Sequence, residues 1–192
     1  MVESVESDYP FEWEKYLKDG HKKPESWMRG GSDIWRDHAD RSWLYENVIE
    51  PVLDIGCGTC IDASGFGEEY VGLDITPSFL HAARFIYGVH NLVLADGRCL
   101  PFRDKSFKTA YAKSLLLHYL LSDMFRFIEE LCRVGETAYI VWDKSHMPSD
   151  ITSSHKTILG FWWFRPSLSD IQKRFWLDSP KKGTSITEVK PR

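Results

Sequence analysis

PVLDIGCGTC, residues Pro51–Cys60, decides how the rest of the chain is read. Val52, Leu53 and Ile55 form a short apolar run of the kind found in a strand covered on both faces. Asp54 interrupts the run just before the turn, and Gly56 and Gly58 follow. Two glycines directly after a buried strand tolerate positive φ and let a ligand approach the backbone closely. The helix expected next would aim its free N–H groups at the same point. Such a turn suits a nucleotide-like ligand without saying which.

Working outward, Tyr70–Ile75 (YVGLDI) reads as a second strand, with Asp74 near its carboxyl end. An acid twenty residues beyond Asp54 suits a ribose diol, which needs acceptor oxygens held rigidly at the edge of a parallel sheet. A third apolar run, Leu92–Ala95, is followed by Asp96 and Gly97. Acids at three successive strand ends, with glycines at the first, outline one crevice.

VLDIGCGTC, VGLDITPSFLHAARF and LVLADGRCLPFRDKSF together resemble the class I S-adenosylmethionine (SAM)-dependent methyltransferases, in particular the small stand-alone type. The resemblance runs from about Val52 to Val141. It implies an α/β fold: a three-layer, doubly wound, mainly parallel sheet with N-terminal helices and a shortened C-terminal part. SAM is the implied cofactor. The glycine turn would hold its methionine part, Asp74 its ribose hydroxyls and Asp96 its adenine amino group, and Asp54, Gly56, Cys57, Gly58, Ile75 and Gly97 belong to the implied cofactor-binding set. Ser114, after the fourth strand, completes the implied cofactor set.

His118, in SLLLHYL, is the candidate catalytic residue, because relatives often place substrate-facing groups after that strand. A hydrogen-bonded structural histidine is the plainer reading of the same residue. His146 and His155 are weaker candidates in the segment expected to cover the substrate. Three positions depart from the family pattern. Cys60 stands for a third glycine, Lys108 for the aspartate usual in "SFD", and Tyr119 where a second histidine often follows the first.

Methyl transfer from a sulfonium is an in-line displacement that asks mainly for alignment and desolvation. A base is needed only where the acceptor must lose a proton. No Asn/Asp-Pro-Pro-Tyr follows the fourth strand, and no Pro-Cys that would support covalent cytosine chemistry. A small-molecule acceptor is favoured, with nucleic acid or protein acceptors left open. Its wall is expected from Ser145–Phe164, closed by the aromatics Tyr9, Phe11, Trp13, Tyr16 and Trp27. A core patch or a dimer contact would explain the same aromatics.

Other classes remain in view. Cys57 and Cys60 form a C-x-x-C pair, but a thioredoxin-like reading leaves Asp74 and Asp96 unexplained. Cys99 and Cys132 form no second pair, so no metal site is expected. An NAD-dependent oxidoreductase shares the fold class. A SAM-binding protein without transferase activity shares the motifs.

The 192 residues suit a single domain with 43% hydrophobic and 27% charged residues. Within it, 1–50 reads as a helical cap, 51–143 as the cofactor core and 144–192 as the substrate side. No apolar run approaches the ~20 residues of a membrane helix. The acidic N-terminus lacks a signal peptide's pattern, and the unevenly placed cysteines suit a reducing cytoplasm. Charge is asymmetric: residues 1–50 carry an acidic excess and 144–192 a basic one.

The expected helices are Phe11–Lys18, Ile34–Glu50, one from Pro77 to Tyr87, Asp123–Val134 and one from Ser167 to about Phe175. Thr76 and Ser122 are the expected caps, and Gly88 the stop of the third helix. Strands four and five are expected at Phe107–Ala112 and Thr137–Trp142, and a last strand at Thr184–Val189. Relatives commonly end in two further strands, for which this chain has little room.

Overall fold

A computed structural model of the chain describes Glu14 and residues 38–143, 147–150, 152–156 and 162–192. Most of the N-terminal aromatic stretch, and His146, lie outside the described residues, as do the side chains of His155 and Trp162. The elements run α1 (His38–Asn47), β1 (Val52–Ile55), β2 (Tyr70–Asp74), α2 (Pro77–Tyr87), β3 (Leu92–Leu94), β4 (Phe107–Lys113), α3 (Leu121–Val134) and β5 (Gly135–Val141). They continue with β6 (Ser153–Lys156), β7 (Trp162–Arg165), α4 (Leu168–Gln172), β8 (Phe175–Leu177) and β9 (Ile186–Pro191).

Seven strands form one sheet in the order β3-β2-β1-β4-β5-β9-β8. The first five are parallel, and β9 runs antiparallel to both β5 and β8. The chain leaves β1 toward β2 on one side and returns to β4 on the other. A crevice therefore opens beyond the carboxyl ends of β1 and β4. Both strands of the terminal hairpin are present where the sequence left little room. They fit because α4 stops at Gln172 and β8 is only three residues long.

Alternation along the strands makes the two faces apolar. Leu53, Ile55, Ala110 and Ala112 point into a core against α3, where Met124, Phe127, Ile128 and Leu131 recur at helical spacing. Val52 and Tyr111 point the other way and pack with Leu44 of α1 and Leu80 and Ala83 of α2. Helices thus cover both faces, and the fold is the three-layer class I methyltransferase architecture.

Two helix starts differ from expectation. Ser122 lies inside α3, which begins after Leu120 with no side-chain cap. Pro77 does open α2, yet the Thr76 hydroxyl makes no capping bond. Instead the Glu14 carboxylate accepts the Ser78 N–H (3.2 Å) and Oγ–H (2.9 Å), capping α2 from the far N-terminus. The helix closes as expected at Gly88, left-handed at φ 68°, with Gly88 N–H bonded to Arg84 O and Val89 N–H to Ala83 O.

Candidate functional site at the carboxyl edge of the sheet

A cavity of about 220 Å³ lies in the crevice predicted by the topology. Asp54, Gly56, Cys57 and Gly58 line it from the first turn, and Asp74 and Ile75 from the end of β2. Gly97 lines it after β3, and Ser114 and His118 after β4. Nine of the ten site residues anticipated from sequence therefore share one space.

The first turn is built on its glycines. Gly56 and Gly58 have φ of 73° and 54°, the left-handed region that other residues enter only with strain. A Cβ on Gly56 would also stand 2.8 Å from Leu115 Cδ2. The Gly56 and Cys57 N–H groups both donate to Leu73 O, at 2.7 and 3.0 Å. Gly58 N–H reaches Asp74 Oδ2 at 2.8 Å, and Thr76 N–H takes Oδ1 at 2.8 Å. Burial pushes the Asp74 carboxyl upward, against the pull of these donors. Each oxygen keeps a further lone pair, so the fixed carboxylate can still accept two hydroxyl donors.

Cys60 occupies the third-glycine position at φ 57°, a strained conformation for a side-chain-bearing residue. The Cys57 and Cys60 sulfurs converge above Gly72, where a Cβ would meet them at 3.1 and 2.7 Å. Both thiols are buried and free, and burial pushes the Cys57 thiol upward, away from a reactive thiolate.

Asp96 is the exception among the anticipated residues. It does not line the cavity. Arg98 folds back on its carboxylate, with Nη2–Oδ2 at 2.6 Å and Nε–Oδ1 at 3.0 Å, and bridges to Asp123 Oδ2 at 2.8 Å. These bonds hold the Asp96 carboxyl below its ordinary range. Ala95 and Gly97 on either side line the cavity in its place. A Cβ on Gly97 would strike Phe127 at 2.8 Å, which explains the glycine by packing.

The sequence reading missed an ionic cluster under the glycine turn. Asp62 is 3% exposed and accepts Arg41 Nε at 2.7 Å and Lys113 Nζ at 2.8 Å. Asp54 is 4% exposed and accepts the Tyr70 hydroxyl at 2.8 Å. Burial, with Asp62 adding to it, pushes the Asp54 carboxyl up to about 7. A lysine closing the otherwise apolar run Tyr111–Lys113 was the signal available in sequence.

The other departures separate cleanly. Lys108 sits at the opposite end of β4, exposed and paired with Glu136 at 2.7 Å, so it does not bear on the cavity. Tyr119 lines the cavity, its ring 5.4 Å from that of Phe127. Ser114 holds φ 51° while its N–H donates to Val141 O at 2.9 Å. Among the described residues of Ser145–Phe164, none lines the cavity, and Phe164 packs on the core beside the turn that carries His118. In the described part of that stretch, Met147 and Phe164 pack on the core, whereas Thr152, Ser153 and Ser154 are exposed. Much of the basic tail is paired as well: Lys173 with Asp170, Arg174 with Glu129, and Lys181 and Lys190 with Glu188.

The sequence profile of the methyltransferase domain matches residues 53–137. This segment is similar to a methyltransferase domain. An uncharacterized methyltransferase of Mycobacterium sp. (strain JLS) is 32% identical over 100 residues. That match covers 47% of this chain and 39% of the relative, so the chain spans about two fifths of the length of that protein. Magnesium protoporphyrin IX methyltransferase (ChlM) from Synechocystis PCC 6803, solved with bound SAH, superposes with a TM-score of 0.61 at 15% identity. The superposition covers 92% of this chain and 96% of ChlM. The PH0226 protein from Pyrococcus horikoshii OT3 gives 0.57 at 17% identity, over 84% of this chain and 93% of its own. Both superpositions cover a larger share of the chain than the matched segment does. No helix among the described residues is long and apolar enough to cross a membrane.

Proposed function

We propose that the chain binds SAM in the cavity and transfers its methyl group to a small-molecule acceptor. The observation that carries this reading is Asp74, whose two carboxylate oxygens are fixed by the N–H groups of Gly58 and Thr76 beside a turn of left-handed glycines. That arrangement suits a ribose diol. Ile75 and Phe79 offer apolar surface at the same end for an adenine ring. The charges of Asp54, Asp62 and Lys113 at the other end suit an amino-acid terminus.

When bound, SAM supplies an electrophilic methyl on sulfur, which leaves as S-adenosylhomocysteine (SAH) once the acceptor's lone pair has taken the methyl. The protein's part is alignment and exclusion of water by the apolar walls Ile55, Leu73 and Leu115. His118 faces the cavity, so its imidazole is the group in place to take a proton from a hydroxyl or amine acceptor. Pairing of the basic tail with neighbouring acids favours a small acceptor over a phosphate backbone.

Calorimetric titration with SAH and with NAD⁺ tests the cofactor reading. Binding of SAH without NAD⁺ is expected; binding of NAD⁺ alone would move the chain to the oxidoreductases. Incubation with radiolabelled SAM and separate small-molecule, RNA, DNA and protein pools tests the acceptor. Label confined to macromolecules would remove the small-molecule assignment.

A further inference from the structure

Asp74 ends β2 and Lys113 ends β4, and β1 lies between those two strands. The two side chains therefore flank the first turn, with Asp54 and the glycines between them, separated by about two strand spacings, roughly 10 Å. Among the described residues lining the cavity, Lys113 is the one lysine or arginine. Its ammonium carries three donors, of which Asp62 Oδ2 takes one at 2.8 Å. Asp62 is itself held by Arg41 Nε, which fixes the carboxylate and through it the lysine. The Lys113 side chain is 16% exposed and Asp62 4%, so a charge brought to this end is little screened by solvent.

Two carboxylates and one ammonium at one end of a cavity complement a zwitterion. An α-ammonium is matched by Asp54 and Asp62, an α-carboxylate by the remaining donors of Lys113. We propose that Lys113 recognises the α-carboxylate of the cofactor's amino-acid end and makes the site selective for adenosyl ligands that carry one. The inference rests on the SAM-binding reading above. It goes further by giving a role to a residue outside the glycine turn and the acidic strand ends.

The probes are SAH and its decarboxylated analogue, which keeps the ammonium and lacks the carboxylate. Both are titrated into the unaltered protein, Lys113→Met and Lys113→Arg. The unaltered protein is expected to bind SAH about ten- to hundredfold more tightly than the analogue, as a charged hydrogen-bonded pair implies. Lys113→Met should lose that ratio by weakening SAH alone, with the analogue unchanged within about twofold. Lys113→Arg should recover part of the ratio. A ratio near one in the unaltered protein overturns the proposal even if the Met variant fails to fold. Equal weakening of both ligands by Lys113→Met also overturns it, because the lysine would then only support Asp62. Failure of the unaltered protein to bind either ligand is a different result: it removes the SAM-binding reading, and the inference with it.

Discussion

Gly58 donates its backbone N–H to Asp74 Oδ2 at 2.8 Å, joining the glycine turn to the acid at the end of the neighbouring strand. The bond spans sixteen residues. It gives the turn and the acid one shared geometry, so a change in either shifts the other. Asp74→Asn keeps one acceptor oxygen and Asp74→Ala keeps none. Charged-acceptor hydrogen bonds are worth roughly 1.5–3 kcal/mol each. SAH affinity measured by calorimetry should therefore fall about tenfold or more in the Asn variant and further in Ala. Undiminished affinity in both would show that Asp74 does not hold the ligand.

Asp96 is expected to behave differently, although it too ends a strand. Its carboxylate is engaged by Arg98 and stands off the cavity. Asp96→Asn should change SAH affinity by less than about twofold, against the larger loss at Asp74. A loss as large as that of Asp74→Asn would mean that Arg98 swings away and Asp96 turns inward on binding.

Asp54 sets a pH dependence of stability in the ligand-free protein. Its carboxyl is pushed up to about 7, chiefly by burial. In the unfolded chain it titrates near the ordinary 3.9. Between about pH 4 and 7 the folded protein holds a proton that the unfolded chain releases, so this group's contribution falls as pH rises and levels off above 7. Asp54→Asn removes that contribution and can still accept the Tyr70 hydroxyl. The melting temperature of the variant relative to the unaltered protein should be higher at pH 8 than at pH 5. Each 1 kcal/mol of relief corresponds to about 2–4 °C in a chain of this size. An identical difference at both pH values would show that Asp54 titrates as an ordinary aspartate.

Gly72 is required by two sulfurs. A methyl there would stand 2.7 Å from Cys60 Sγ and 3.1 Å from Cys57 Sγ, both on buried residues. Gly72→Ala should destabilise by about 1–3 kcal/mol in chemical denaturation, as overpacking does. Adding Cys60→Ala removes the nearer sulfur, so the double variant should lose less than the sum of the two single losses. Strict additivity would place the strain elsewhere.

From β1 to β5 the order of elements and the acids at the strand ends follow from the sequence. Val52–Ile55, the two glycines and Asp74 were legible because strand burial, left-handed turns and an acid at a sheet edge are local requirements of the chain. Pro77 and Gly88 marked the limits of α2 for the same reason. Tertiary structure alone decided the rest. Asp96 carries the right residue type at the right spacing, yet Arg98 two residues on takes its carboxylate and is itself held by Asp123 on α3. The first is a conformational choice and the second a contact across 25 residues of sequence. Asp62, Arg41 and Lys113 lie on three separate elements, and nothing in their spacing announces that they meet. Glu14 caps a helix 64 residues away. Side-chain partners chosen across the fold depend on distances that the chain has only once the sheet has closed, and there the ionic end of the cavity was set.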